Sequence, residues 1–78
     1  MRYHLKYHAR KRMEERGITE HHIQEALGNI IMQRPAEPGS VCIVGKTDDG
    51  AQLAIYVSGG MPPQEPLAIR TVVWRSES

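Results

Sequence analysis

The spacing of hydrophobic positions changes along the chain, and this change predicts where the helices begin. Residues 2–7 alternate polar and apolar side chains, which is typical of a short strand or an extended arm. Leu5, Ala9 and Met13 then recur every four residues, as they would on one face of a helix. Gly17 can adopt a left-handed conformation, so the first helix is predicted to end there.

A second helix is predicted directly after the first. Thr19 is a suitable N-cap residue, and Glu20 would lie near the positive end of the helix dipole. The helix must end before Pro35, and residues 34–40 have the composition of a loop. Its apolar stripe, with i, i+3, i+4, i+7 spacing, is Ile23, Ala26, Leu27 and Ile30.

The second half of the chain has the pattern of strands. Apolar or alternating runs predict strands at residues 41–44, 52–58 and 67–74. An Asp-Gly turn separates the first two, and a Gly- and Pro-rich loop precedes the third. The predicted fold class is α+β, a helical hairpin packed on one face of a three- or four-stranded antiparallel sheet. The predicted order is (β)-α-α-β-β-β, in a single domain covering residues 1–78.

Length and composition limit the kinds of protein that the chain can be. Its 78 residues allow one domain, and 40% hydrophobic with 24% charged residues suits a globular fold. The single cysteine, Cys42, excludes an internal disulfide and a zinc site built from several thiolates. We expect a cytoplasmic protein with no membrane partner, because the sequence contains no long apolar run and no signal-peptide pattern.

Charge is concentrated at the N-terminal end. Residues 1–16 hold six basic and two acidic residues, a net of +4, whereas residues 17–78 hold four basic and seven acidic ones, a net of −3. A basic end on a nearly neutral domain favours an anionic partner such as RNA. The alternative is a solvated helix surface whose charges keep the domain soluble.

The first helix carries the strongest candidate for a site. His8, Arg12 and Arg16 are spaced by four and form one ridge beside the apolar stripe. The helix dipole favours the neutral imidazole of His8 in the first turn. A neutral imidazole beside guanidinium groups provides the general base and the phosphate ligands that metal-independent cleavage of RNA by its own 2′-hydroxyl requires. Alternatively, His8 bonds to the backbone and the arginines pair with acids.

The last two strands supply a second candidate group. Strict alternation places Arg70 and Trp74 on one face, and Tyr56 joins them if the register permits. An arginine with two aromatic side chains on a sheet face can hold a phosphate and stack a base. The alternative is that these side chains only cover a small sheet, with the stem of Arg70 lying on apolar surface.

Metal and cofactor sites are not predicted. Four histidines lie between residues 4 and 22, but they lack the spacing of a zinc signature, and no His-Glu-x-x-His pattern occurs. Cys42 lies within an apolar strand and is expected to be a small buried residue.

Residues 8–19 read His-Ala-Arg-Lys-Arg-Met-Glu-Glu-Arg-Gly-Ile-Thr. This segment resembles domain-of-unknown-function family 4258, small bacterial domains whose signature is His-Ala-x-x-Arg-Met-x-x-Arg-Gly-Ile. Residues 69–74 are similar to the closing strand of that family. Such domains look like relatives of ribonuclease toxins of the RelE and barnase type. The resemblance implies that His8, Arg12 and Arg16 matter most, followed by Arg70 and Thr71, and that an antitoxin-like protein is a candidate partner.

Three hypotheses about function follow. The first is a metal-independent ribonuclease whose catalytic residues are His8, Arg12, Arg16 and Arg70. The second is a domain that binds nucleic acid, or a toxin–antitoxin partner, without catalysis. The third is a protein-interaction domain that uses an open sheet edge. The predicted nucleic-acid contacts are Arg2, Lys6, Arg12, Arg16, Tyr56 and Trp74.

Overall fold

A computed structural model describes residues 1–75 and shows an α+β domain, as the sequence predicts. The two helices and five strands of the described residues follow one another in a fixed order. They are β1 (Tyr3–Leu5), α1 (Tyr7–Arg16), α2 (Glu20–Leu27), β2 (Ile30–Pro35), β3 (Ser40–Lys46), β4 (Gln52–Ser58) and β5 (Leu67–Arg75). Neither of these helices is long and apolar enough to cross a membrane.

The strands form one mixed sheet in the order β1-β5-β4-β3-β2. Neighbours from β2 to β5 are antiparallel, whereas β1 runs parallel to β5. The prediction of three or four antiparallel strands is therefore roughly right, but the sheet has a fifth strand and β1 runs parallel to its neighbour. The backbone N–H and C=O groups along the outer edge of β5 need hydrogen-bond partners, and β1 supplies them. The Leu67 N–H donates to the Arg2 carbonyl oxygen at 2.9 Å, and the Lys6 N–H donates to the Ile69 carbonyl oxygen at 3.2 Å.

Both predicted signals at the helix junction are confirmed. Gly17 follows α1 with φ 66°, in the left-handed region, and its N–H bonds to the Met13 carbonyl oxygen. Thr19 caps α2, because its hydroxyl oxygen accepts a hydrogen bond from the His22 N–H at 3.2 Å. The imidazole Nδ1 of His22 accepts one from the Thr19 N–H at 3.0 Å in return. This reciprocal pair fixes where the second helix begins.

The segment after α2 differs from the prediction, because a helix through Ile30 and a loop at residues 34–40 were expected. Instead α2 ends at Leu27, and the Asn29 N–H donates to the Ala26 carbonyl oxygen at 3.1 Å. The chain then forms β2, which pairs with β3 from Ile30 opposite Gly45 to Pro35 opposite Val41. The backbone groups along the edge of β3 supply the hydrogen-bond partners of β2, and a local sequence pattern does not reveal such distant partners. The β-branched residues at the start of β2 also suit a strand.

One face of the sheet carries both helices and the main core. A single buried cluster joins apolar residues of both helices to residues of β3, β4 and β5. Its members are Ala9, Met13, Ile18, Ile23, Ala26, Leu27, Val41, Ile43, Leu53, Ile55, Val57, Leu67, Ile69 and Val72. Gly45 of β3 lies directly against the backbone of Ala26, so α2 is held close to the end of β3.

A β-bulge interrupts the alternation of β5. Val57 pairs with Ile69 and Tyr56 pairs with Thr71, so Arg70 is an extra residue between two paired ones. Val72 enters the helix-side core in place of Thr71. The prediction that Arg70 and Trp74 share a face by alternation is therefore wrong, because one inserted residue exchanges the two faces beyond it.

Candidate functional site

An open cleft of about 720 Å³ lies on the sheet face turned away from the helices, next to the start of α1. Val41, Ile55 and Val72 belong to the helix-side core, so the side chains that alternate with them point the other way. The residues that line the cleft are Lys6, His8, Arg12, Glu37, Ser40, Tyr56, Arg70 and Thr71. We call this site the sheet cleft.

The short strand β1 brings the start of α1 to the sheet cleft. It pairs only with Leu67–Ile69, so the chain leaves the sheet beside the bulge at Arg70. The hydrogen bond from the Lys6 N–H to the Ile69 carbonyl oxygen holds this crossing point. As a result Lys6 and His8 line the same cleft as Arg70, although they lie more than sixty residues before it in the sequence.

The charges of the sheet cleft favour an anion. Its lining includes three cationic residues, Lys6, Arg12 and Arg70, and one acidic residue, Glu37. The first turn of α1 contains no acidic residue, and Lys6 at its N-cap position makes no capping bond with its side chain. The partial positive charge of the helix N-terminus is therefore not offset by its own first turn.

Arg12 already holds a carboxylate at the rim of the cleft. Its Nη1 donates to Glu15 Oε1 at 2.7 Å, and this hydrogen bond is the main reason why the pKa of Glu15 is lowered. The two side chains are 44% and 47% exposed. A solvent-exposed pair of this kind contributes little to stability, so Arg12 can exchange Glu15 for a phosphate at small cost.

Tyr56 lines the sheet cleft from the middle of β4. Its ring packs against a second, smaller apolar cluster formed by Cys42, Val44 and Ala54. Burial first, and then the neighbouring Cys42 thiol, raises the pKa of Tyr56. The hydroxyl therefore stays protonated at neutral pH and can donate a hydrogen bond to a phosphate oxygen.

Two of the predicted site residues connect α1 to β5 instead. Arg16 Nη1 donates to the Val72 carbonyl oxygen at 2.7 Å. Trp74 Nε1 donates to the Arg16 carbonyl oxygen at 3.0 Å, and its ring meets His22 edge-on with the centroids 4.9 Å apart. The Arg16 side chain thus binds the backbone of β5 and the Trp74 side chain binds the helix layer, and neither residue lines the sheet cleft. Arg2, also predicted to contact nucleic acid, lies beside β5, where its N–H donates to Glu65 Oε1 at 2.6 Å.

A match along most of the chain identifies its family. Residues 5–74 match the family described as Domain of unknown function (DUF4258). The chain belongs to the DUF4258 family. No curated protein and no solved structure matches it. The match to DUF4258 includes α1 and most of β5 with its bulge at Arg70. The family description states no activity. Because chemistry depends on a site rather than on a fold, the sheet cleft is the feature of this DUF4258 domain that bears on its function.

Sequence reasoning missed two residues that line the sheet cleft, Glu37 and Ser40, and one beside it, Tyr7. Glu37 lies in the turn from β2 to β3, and Ser40 begins β3, where its N–H donates to the Glu37 carbonyl oxygen at 3.0 Å. Pro38 followed by Gly39, with φ 83°, is the signature of a tight turn and could have predicted this hairpin. Tyr7 is 75% exposed, and its ring centroid lies 5.6 Å from that of His8.

Proposed function

We propose that this DUF4258 domain cleaves single-stranded RNA in the sheet cleft, by attack of the RNA's own 2′-hydroxyl and without a metal ion. One observation carries the proposal: His8, Arg12 and Arg70 line one cleft, together with Lys6 and Tyr56. This set contains a group that can accept a proton and several that bind phosphate. Binding alone would need the cations but has no use for the imidazole among them.

The chemistry assigns one role to each group. The His8 imidazole accepts the proton of the 2′-hydroxyl, and the 2′-oxygen bonds to phosphorus while the bond to the 5′-oxygen breaks. The products are a 2′,3′-cyclic phosphate and a 5′-hydroxyl, whose proton comes from water, and the hydroxide that remains takes the proton back from His8. Negative charge grows on the phosphate oxygens during this step, and Arg12 and Arg70 are placed to stabilise it.

The surroundings of the cleft suit an RNA strand rather than a duplex. The cleft opens on a sheet face, and its volume of about 720 Å³ accommodates a phosphodiester with its adjoining ribose. The exposed ring of Tyr7 beside His8 offers a surface on which an unpaired base can stack. We therefore expect cleavage in single-stranded segments.

The direct test uses the 2′-hydroxyl itself. The 78-residue chain is incubated in EDTA with an end-labelled single-stranded RNA and with the same RNA carrying one 2′-deoxynucleotide at the cleaved position. We expect cleavage of the first to a 2′,3′-cyclic phosphate and no cleavage of the second at that position. Cleavage at the 2′-deoxy position, or no cleavage of either RNA by folded protein, would contradict the proposal. In the second case, a domain that only binds RNA would still show salt-dependent affinity.

Arg12 and Arg16 form a matched pair of variants, since both lie on α1 but only Arg12 lines the cleft. Arg12→Ala is expected to lower kcat/KM by about ten- to a hundredfold, the loss of one charge-assisted hydrogen bond in the transition state. Arg16→Ala should leave kcat/KM within about twofold and lower the free energy of unfolding by about 1 kcal/mol, because the Val72 carbonyl loses a donor. Equal losses of kcat/KM in both variants would contradict this assignment.

A further inference from the structure

We propose that His21, Glu25 and Asp48 form a binding site for a divalent transition-metal ion such as Zn²⁺. One imidazole nitrogen and two carboxylate oxygens from these residues lie within 4.8 Å of one another. None of these three described residues lines the sheet cleft, so the site is independent of the proposed ribonuclease activity. We call it the helix–turn site, because two ligands come from α2 and one from the turn between β3 and β4.

Local structure places the two helix ligands on one side of α2. His21 and Glu25 are four residues apart, and His21 Nε2 lies 2.9 Å from Glu25 Oε2. Asp48 arrives from the following turn, and its backbone N–H donates to Glu25 Oε1 at 3.2 Å. The backbone of the turn, as well as its side chain, is thus attached to the helix.

The two elements are also held together outside the site. A Cβ atom at Gly45 would lie only 2.0 Å from the Ala26 carbonyl oxygen, so β3 touches α2 one residue after Glu25. The Lys46 N–H donates to the Asn29 carbonyl oxygen at 3.0 Å, just before the turn that carries Asp48. A metal ion would therefore meet ligands that are already close together, and it would not have to order a loop.

The charges of the site call for a cation. His21 and Glu25 alone would form an ion pair. Asp48 adds a second carboxylate beside that of Glu25, and the Glu25 side chain is only 13% exposed. Two adjacent carboxylates favour a proton or a cation between them. His22 and Asp49 lie close enough to influence these charges as well.

The ligand types indicate the class of metal. Ca²⁺ and Mg²⁺ prefer oxygen ligands alone, whereas an imidazole nitrogen with carboxylate oxygens suits Zn²⁺ and its neighbours in the first transition series. Three protein ligands leave a fourth tetrahedral position for water. His21 is 76% exposed on its side chain, so its ring can turn from Glu25 toward the ion.

The test is a titration of Zn²⁺ into the metal-free 78-residue chain, followed by calorimetry in a buffer that does not bind zinc. We expect one saturable site, and more than about tenfold weaker binding in both His21→Ala and Asp48→Asn, since loss of even an outer-shell group costs ten- to a hundredfold. Asp48→Asn retains the backbone N–H, so circular dichroism should show an intact fold. His4→Ala and Glu14→Gln are matched controls and should bind zinc as the wild type does.

A second readout locates the ion. Zinc should shift the NMR signals of the His21 ring and the Asp48 amide, and it should raise the Tm of the wild type but not that of Asp48→Asn. Equal affinities in the wild type and Asp48→Asn, shifts centred on His4 or His8, or no saturable binding would overturn the proposal. Asp48→Asn should cleave RNA in EDTA at the wild-type rate, so the failure of either proposal is recognised without the other.

Discussion

RNA cleavage by His8→Ala is expected to be about 10²- to 10⁴-fold slower than cleavage by the wild type, the usual contribution of a general base. His8 lies exposed in the first turn of α1, so its loss removes the proton acceptor of the sheet cleft without opening the core. The measurement is the single-turnover rate on a labelled RNA in EDTA, with folding followed by circular dichroism.

His4→Ala is the control for this variant, because His4 is also exposed but lies in β1, where it pairs with Ala68. Its cleavage rate should match that of the wild type. Fluorescence anisotropy should show that His8→Ala still binds RNA, with an affinity that falls as salt rises, because Lys6, Arg12 and Arg70 remain. A His8→Ala rate above about a tenth of the wild-type rate would exclude His8 as the general base.

Gly45→Ala is expected to lower the free energy of unfolding by about 3 kcal/mol or more, at the upper end of the usual cost of overpacking. The added Cβ would lie 2.0 Å from the Ala26 carbonyl oxygen and 2.6 Å from its carbonyl carbon. These are backbone atoms, so relief requires α2 to move away from β3. For a domain of this size the Tm should fall by more than about 10 °C in a thermal melt.

Gly60→Ala provides the comparison. A Cβ at Gly60 has no atom within 4 Å among the described residues, and its φ lies outside the left-handed region. Its Tm should stay within about 2 °C of the wild type or rise slightly, because alanine restricts the unfolded chain. Equal Tm values for Gly45→Ala and Gly60→Ala would show that the contact between α2 and β3 tolerates a side chain.

Elements with local signals could be predicted from the sequence. Gly17 and Thr19 mark the end of α1 and the start of α2, because a left-handed residue and a capping side chain act on their immediate neighbours. Alternation in β4 correctly separates Leu53, Ile55 and Val57 from Ala54 and Tyr56, since that strand has no inserted residue.

Elements without a local signal could not be predicted in full. The strand β2 forms because it pairs with the edge of β3, and β1 takes its parallel direction from pairing with the edge of β5. The bulge at Arg70 is invisible in the alternation of β5, yet it directs Thr71 toward the sheet cleft and Trp74 toward the helices. These features arise from pairing between distant segments.

The lining of the sheet cleft could be predicted only in part, because it too depends on pairing between distant segments. Six residues singled out from the sequence line it: Lys6, His8, Arg12, Tyr56, Arg70 and Thr71. Arg16 continues the ridge of α1, but the helix runs along β5 and carries this arginine to the Val72 carbonyl. Glu37 lines the cleft from the turn between β2 and β3, a segment predicted as a loop, and it joins the other lining residues because β2 and β3 pair.

The sequence by itself determined the fold class, the helix junction, the basic end of the chain and most of the candidate side chains. Each of these follows from residue type and from neighbours within a few positions. Only the tertiary structure decided which of those side chains meet. Strand register and a single inserted residue choose between the two faces of a sheet, and that choice depends on backbone partners many residues away.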